Sequence, residues 1–393
     1  MTATASLYVH APFCRAKCRY CAFYSQPAGP QGPAAHVLAR YFDALEAEMD
    51  GNAQAHGRVA APTLFFGGGT PSLLGAEGLA RIMGALRQRF GLAPDAEITL
   101  EANPDSASPE LLRAATGLGV NRLSLGVQSL DDASLKALGR VHDARQARLA
   151  FDRARAAGFE NIGLDLIFGL PGQGVEAWLN TLRQALAFAP EHVSCYGLTV
   201  EPGTPLASDA AALAACADED GQAEMFLRGA ELLEAAGFAH YEISNFARPG
   251  RRCRHNLACW RGEHVLGFGP AAVSTMKAQD SGPDGAVRWA NPADLTAWAE
   301  LVRSGRTGQA NRETLGPEVR AREALMLALR TAEGLDLDAH AARTGQDLRA
   351  AHAALLGQLE RAGLIARPDD RLRLTRAGML VSSSVIRALG FDA

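Results

Sequence analysis

An α/β fold is predicted for this chain: a partial, TIM-like (β/α)6 barrel over residues 1–280, then a smaller, mainly helical, winged-helix-like module over residues 290–393. Three observations lead there. Apolar, β-branched runs alternate with stretches of helical periodicity through the first half, the rhythm of parallel strands joined by crossover helices. Polar and glycine-rich residues recur at the downstream ends of those runs, where barrels of this kind build their sites. After about residue 280 the pattern becomes helical and closes with two short β-like pieces.

The first strand is expected at 7–10, directly after a polar start, Met1-Thr2-Ala3-Thr4-Ala5-Ser6, that lacks the charged and apolar regions of a signal peptide. Further strands are expected at 63–66, 97–102, 122–126, 161–167 and 192–198. Between them Leu79, Ile82, Met83, Leu86 and Phe90 recur at helical spacing, as do Leu179, Leu182 and Leu186. Ser108-Pro109-Glu110 reads as a helix start, with serine as the cap and proline in the first turn. Six such units favour an open barrel over a closed one of eight. Ser281-Gly282-Pro283-Asp284-Gly285 is a turn-rich, exposed link. Beyond it, helices are expected over 292–303, 317–332 and 346–362, and β pieces at 364–366 and 371–374 around Pro368-Asp369-Asp370, the outline of a winged helix.

Composition narrows the class. The 393 residues are 48% hydrophobic and 21% charged, ordinary globular values. No apolar run approaches the roughly 20 residues of a membrane span, so a soluble, cytoplasmic protein is expected, with at most transient contact with a membrane surface. Net charge is -4, and residues 300–393 carry 14 arginines against 12 acidic residues, which speaks against nucleic acid as a partner. Seven cysteines, an odd number at irregular positions, do not make a secreted disulfide framework and fit a reducing compartment.

Cys14, Cys18 and Cys21 form a Cys-x3-Cys-x2-Cys run, a spacing that lets three thiolates take separate corners of one [4Fe-4S] cluster and leaves the fourth iron without a protein ligand. Structural zinc wants four closed ligands, and the downstream Ala22-Phe23-Tyr24 offers no fourth cysteine or histidine, so a zinc site would borrow a distant ligand. Gly67-Gly68-Gly69-Thr70-Pro71 follows the second expected strand and lets backbone approach a ligand closely, although such turns also serve structure alone. Glu101, Gln128, Arg140 and Asp165 lie at or just beyond strand ends, where a buried polar group must find a partner.

The cysteine spacing resembles the signature of the radical S-adenosylmethionine superfamily. The segments Tyr8-Val9-His10-Ala11-Pro12-Phe13-Cys14, Gly67-Gly68-Gly69-Thr70-Pro71, Glu101-Ala102-Asn103-Pro104, Gly126-Val127-Gln128-Ser129 and Asp165-Leu166-Ile167-Phe168-Gly169-Leu170-Pro171-Gly172 resemble successive motifs of its coproporphyrinogen III oxidase-like family. That resemblance implies a radical SAM barrel with S-adenosylmethionine bound by Tyr8, Gly68, Gly69, Glu101, Gln128, Arg140 and Asp165. The cofactor's ammonium, carboxylate and ribose diol call for an anion, a guanidinium and hydrogen-bonding groups, and this set supplies all three.

Arg254-His255-Asn256-Leu257-Ala258-Cys259-Trp260 resembles the His-Asn-x-x-Tyr-Trp motif of the heme-chaperone branch, with Cys259 in the tyrosine position. The resemblance implies His255 as a heme ligand, and Cys259 as either a thiolate ligand or a small buried residue. Chaperones of this branch bind heme and pass it to an acceptor protein. The alternative within the family is an oxygen-independent coproporphyrinogen III dehydrogenase, which typically carries a further cysteine where Phe23 stands and an N-terminal extension, whereas 13 residues precede Cys14 here. A third reading, a winged-helix regulator that senses its cluster, fits poorly with the near-neutral tail.

Overall fold

The computed structural model describes residues 3–277, 285–307 and 310–390. Six parallel strands form its centre: β1 (Ser6–Ala11), β2 (Ala60–Gly68), β3 (Gly91–Ala102), β4 (Arg122–Gln128), β5 (Ile162–Phe168) and β6 (His192–Gly197). Each is hydrogen-bonded to the next in chain order. Leu7 pairs with Leu64, Leu64 with Ile98, and Leu100 with Leu123, so the register puts apolar residues side by side, and all of these are buried. Near-continuous apolar strands of this kind need cover on both faces. The helices Gly75–Arg89 and Val175–Leu186 supply part of it through Leu79, Ile82, Met83, Leu86, Leu179 and Leu182, the positions whose spacing predicts them. Ser108 caps Pro109–Gly117, its Oγ accepting from Leu111 N at 3.1 Å.

The sheet does not stop at six strands. Val265–Phe268 adds in parallel beside β1, followed by Val273–Lys277, Ala286–Ala290 and Glu313–Leu315 in antiparallel order. On the other side Asn245–Ala247 and then Ala239–Glu242 add to β6. The two outermost strands do not pair with each other, so the barrel stays open.

A buried carboxylate ties the late strands to the early helices. Glu48, on helix Ala35–His56, accepts from Gly269 N at 2.7 Å, Asn291 Nδ2 at 2.6 Å and Trp298 Nε1 at 3.2 Å. The bonds to Asn291 and Trp298, and the pairing of Val273–Lys277 with Ala286–Ala290, cross the 280–290 stretch. The turn expected at 281–285 lies, up to residue 284, outside the described residues.

After Leu315 the chain builds a second core around Leu325, Leu337, Leu356, Leu372 and Ile386. Arg371–Leu374 pairs antiparallel with both Leu335–Asp336 and Ile365–Ala366 beside the helices Pro317–Ala328, Leu337–Thr344 and Ala353–Arg361, giving the winged-helix outline. The module joins the barrel through a bridge between Thr331 and Glu242 and an ion pair of Arg261 with Glu333 at 2.9 Å.

Candidate functional site

The carboxyl ends of the six central strands open into one cavity of about 440 Å³. β1 feeds it the cysteine loop. Past Ala11 the pair Phe13–Cys14 runs parallel to Gln26–Pro27, and bonds from Gln26 N to Pro12 O (2.6 Å) and from Ala28 N to Cys14 O (2.7 Å) close the neck of the loop. Cys14, Cys18 and Cys21 are free thiols and all three line the cavity. Thr70 Oγ1 lies 3.4 Å from Cys14 Sγ and Arg140 Nη1 lies 3.2 Å from Cys18 Sγ, donors that favour the thiolate an iron ligand must be. Burial pushes the Cys14 and Cys21 thiols up, and the neighbouring Cys18 adds to the push on both. Among the described residues no three His, Cys, Asp or Glu side chains converge on a single-ion site. Three thiols spread around a cavity instead fit the separate corners of a cubane.

The glycine turn at the end of β2 packs beneath this loop. Gly68 has φ +107, and a Cβ there would stand 2.6 Å from the His10 ring; one on Gly69 would stand 2.7 Å from Phe13 O. Both glycines line the cavity, and the Gly68 N–H lies near the Glu101 carboxylate. Glu101 closes β3, and burial, with Asp165 nearby, pushes its carboxyl up to about 8. Asp165 sits in β5 opposite Gly126 on one side and Ser194 on the other. Its carboxylate accepts from Ser124 Oγ at 2.9 Å and Ser194 Oγ at 2.7 Å, and burial raises its pKa.

Arg140 is held between strands. Besides Cys18, its Nη2 donates to Asn103 Oδ1 at 2.7 Å and to Gly126 O at 2.8 Å, while its buried Nε has no partner among the described residues. Asn103 Nδ2 in turn donates to Thr70 Oγ1 at 3.0 Å, so cluster loop, glycine turn and two strand ends form one network. Gln128 ends β4 with φ 66, and a Cβ on Gly126 would lie 3.0 Å from the Gln128 amide nitrogen, which covers that glycine. Thr70, Asn103 and Gly126 enter the sequence analysis only as members of strand-end motifs, and Ser124 and Ser194 do not enter it. Their signal lies in the parallel register, which alone brings them beside Arg140 and Asp165.

Tyr8 and His255 are placed elsewhere. The Tyr8 hydroxyl is 3.1 Å from His10 Nδ1, its ring lies under the turn against Phe65, and it is not among the residues lining the cavity. His255 is buried on helix Arg254–Trp260, its Nδ1 2.8 Å from Thr63 Oγ1 and its ring stacked on Phe65 at 5.0 Å. Thr63 precedes Gly68 by five residues of strand, about 16 Å, so His255 sits toward the opposite end of the barrel. Burial pushes its imidazole down to about 4. Cys259, one turn further along the same helix, is exposed. At the mouth itself Phe23 is 71% exposed and Tyr196 41% exposed, two aromatic rims on the cavity.

The chain matches the Radical SAM superfamily over residues 8–185 and the HemN C-terminal domain over residues 315–381. It is 38% identical to heme chaperone HemW of Mycobacterium tuberculosis over 98% of this chain and 94% of that protein. With heme chaperone HemW of Bacillus subtilis it shares 34% identity over 98% of each chain. The solved structure of coproporphyrinogen III oxidase (HemN) from Escherichia coli is similar in fold, with a TM-score of 0.83 at 24% identity over 99% of this chain and 90% of the other. No helix among the described residues is long and apolar enough to cross a membrane.

Proposed function

Because the chain belongs to the HemW heme-chaperone family of the radical SAM superfamily, we propose that it binds heme and passes it to an acceptor protein. Its barrel holds a [4Fe-4S] cluster on Cys14, Cys18 and Cys21, with S-adenosylmethionine beside it at Gly68, Gly69, Glu101, Gln128 and Asp165. The observation that carries this reading is identity of 34–38% running through barrel and tail alike, together with one cavity that gathers the three thiols and the strand-end polar groups.

When bound, the cluster supplies an open iron that the methionyl amine and carboxylate of the cofactor can chelate. The chain's own residues do the rest. Glu101 and Asp165 offer anions to the cofactor's positive groups, Gln128 offers an amide to its ribose, and Arg140 braces Cys18 while keeping Nε–H and the second Nη1 hydrogen for a carboxylate. Tyr8 acts from beneath the glycine turn, through His10 and Gly67, rather than by lining the cavity. The tail module starts near residue 315, where the large sheet ends. His255 as an axial heme ligand requires helix Arg254–Trp260 to move, since the ring is buried between Thr63 and Phe65. The cytoplasm is the proposed compartment, supported by seven free cysteines.

Absorbance titration of the anaerobically reconstituted protein with heme, run beside a coproporphyrinogen III decarboxylation assay, tests the reading. A saturable Soret band without decarboxylation is the expected result. Robust decarboxylation overturns it in favour of the dehydrogenase.

A further inference from the structure

β4 ends in a bulge. Its register with β5 jumps between Gly126, opposite Asp165, and Gln128, opposite Leu166. Gln128 pays for this with φ 66, the left-handed region that suits glycine and not glutamine. Such a conformation persists only where its surroundings over-determine it.

Two side chains from one short segment grip the bulge at successive carbonyls. Arg140 Nη2 donates to Gly126 O at 2.8 Å, and His142 Nε2 lies 3.1 Å from Val127 O, which also accepts from Ser129 N at 2.8 Å. A carbonyl oxygen only accepts, so His142 carries its proton on Nε2. Its Nδ1 is then a bare acceptor, buried and without a partner among the described residues. An apolar ring would fill the same space without that orphan, so what the imidazole adds is the bond to Val127. Burial beside Arg140 pushes the ring down to about 4, which keeps it neutral and in the donating tautomer at ordinary pH.

We infer that His142 is a positioning residue for the cofactor site: through Val127 O it holds the bulge that delivers the Gln128 amide over Gly126 and into the cavity. The inference rests on the proposed assignment of this cavity to S-adenosylmethionine. His142 is not among the residues that line the cavity, so it acts from behind the lining, through the bond to Val127 O.

The test is calorimetric binding of S-adenosylmethionine to the full, reconstituted chain, with iron content measured on the same samples, for His142→Leu, His142→Gln, Gln128→Ala and the His142→Leu/Gln128→Ala double variant. His142→Leu is expected to weaken binding about tenfold at unchanged iron content, as loss of a buried hydrogen bond would. His142→Gln, whose amide nitrogen reaches the same carbonyl, restores most of the affinity and stands in should the leucine variant fail to fold. The double variant is expected to bind no worse than Gln128→Ala. Native affinity in His142→Leu beside a weakened Gln128→Ala overturns the positioning role, and, should the leucine variant not fold, so does a His142→Gln affinity no better than that of Gln128→Ala. Additive losses in the double variant overturn it too. Native affinity in Gln128→Ala overturns the cavity assignment itself.

Discussion

The guanidinium of Arg140 touches the thiol of Cys18, Nη1 to Sγ 3.2 Å, across 122 residues of sequence. An arginine that the family resemblance assigns to the cofactor is thus also a neighbour of a proposed cluster ligand. Arg140→Ala is expected to weaken S-adenosylmethionine binding by about 1.5–3 kcal/mol, the range of a charge-assisted hydrogen bond. It should also lower the cluster's reduction potential by on the order of 50 mV, since a positive group beside a ligand sulfur favours the reduced state. Calorimetry and an EPR-monitored redox titration read the two effects separately.

Replacing Cys14, Cys18 or Cys21 by alanine is expected to abolish the cluster, because each is proposed to hold a separate corner. Iron analysis after anaerobic reconstitution checks this. About four irons per chain in the triple variant would contradict the ligand assignment.

The glycine turn predicts a contrast between two Gly→Ala changes. At Gly69 the new Cβ meets backbone, 2.7 Å from Phe13 O and 2.9 Å from Ala11 O, so the cysteine loop must shift; a loss of about 1–3 kcal/mol and poorer cluster loading are expected. At Gly84, inside helix Gly75–Arg89 with nothing within 4 Å, alanine should stabilise by about 0.4–1 kcal/mol. Chemical denaturation of both variants measures the difference.

Glu101 sets a pH dependence. Its folded pKa of about 8 lies above the ordinary carboxylate value, so its contribution to the unliganded fold is fully present below that ordinary value and is lost as pH rises toward 8. The cationic cofactor prefers the ionised form, which reverses the trend for binding: affinity should rise by up to about tenfold per pH unit between roughly pH 6 and 8, with a proton released on binding. Glu101→Gln should flatten both slopes. Thermal melts across pH and calorimetry in buffers of different ionisation enthalpy provide the readout.

For heme, His255→Ala should shift or abolish the Soret band while leaving iron-sulfur absorption intact, because His255 packs on Thr63 and Phe65, away from the cysteine loop. An unchanged spectrum there, with a shift in Cys259→Ser, would give the ligand role to the exposed thiol one turn along.

The central barrel was legible because its strands are long apolar runs, and because Leu79, Ile82, Met83 and Leu86 repeat at a helical period. The strands at 239–247, 265–277, 286–290 and 313–315 were not, being three to five residues each and held by pairing with neighbours distant in sequence. The same limit applies within the site. Cysteine spacing and glycine runs are local and can be read directly, whereas Ser124 and Ser194 matter only because register sets them beside Asp165. Tyr8 shows the reverse case: the strand is placed well, but its hydroxyl turns to His10.

Thr331 pairs with Glu242 at the last strand of the large sheet, and Ile243 N bonds to Arg330 O at 2.9 Å as Ala332 N does to Tyr241 O at 3.0 Å. Residues 330–332 therefore cover backbone groups that an outermost strand would otherwise offer to any passing chain. A protein cut after residue 315 would bare that edge and invite strand addition from a second molecule. The tail thus bears on whether copies of this protein remain apart in a crowded solution.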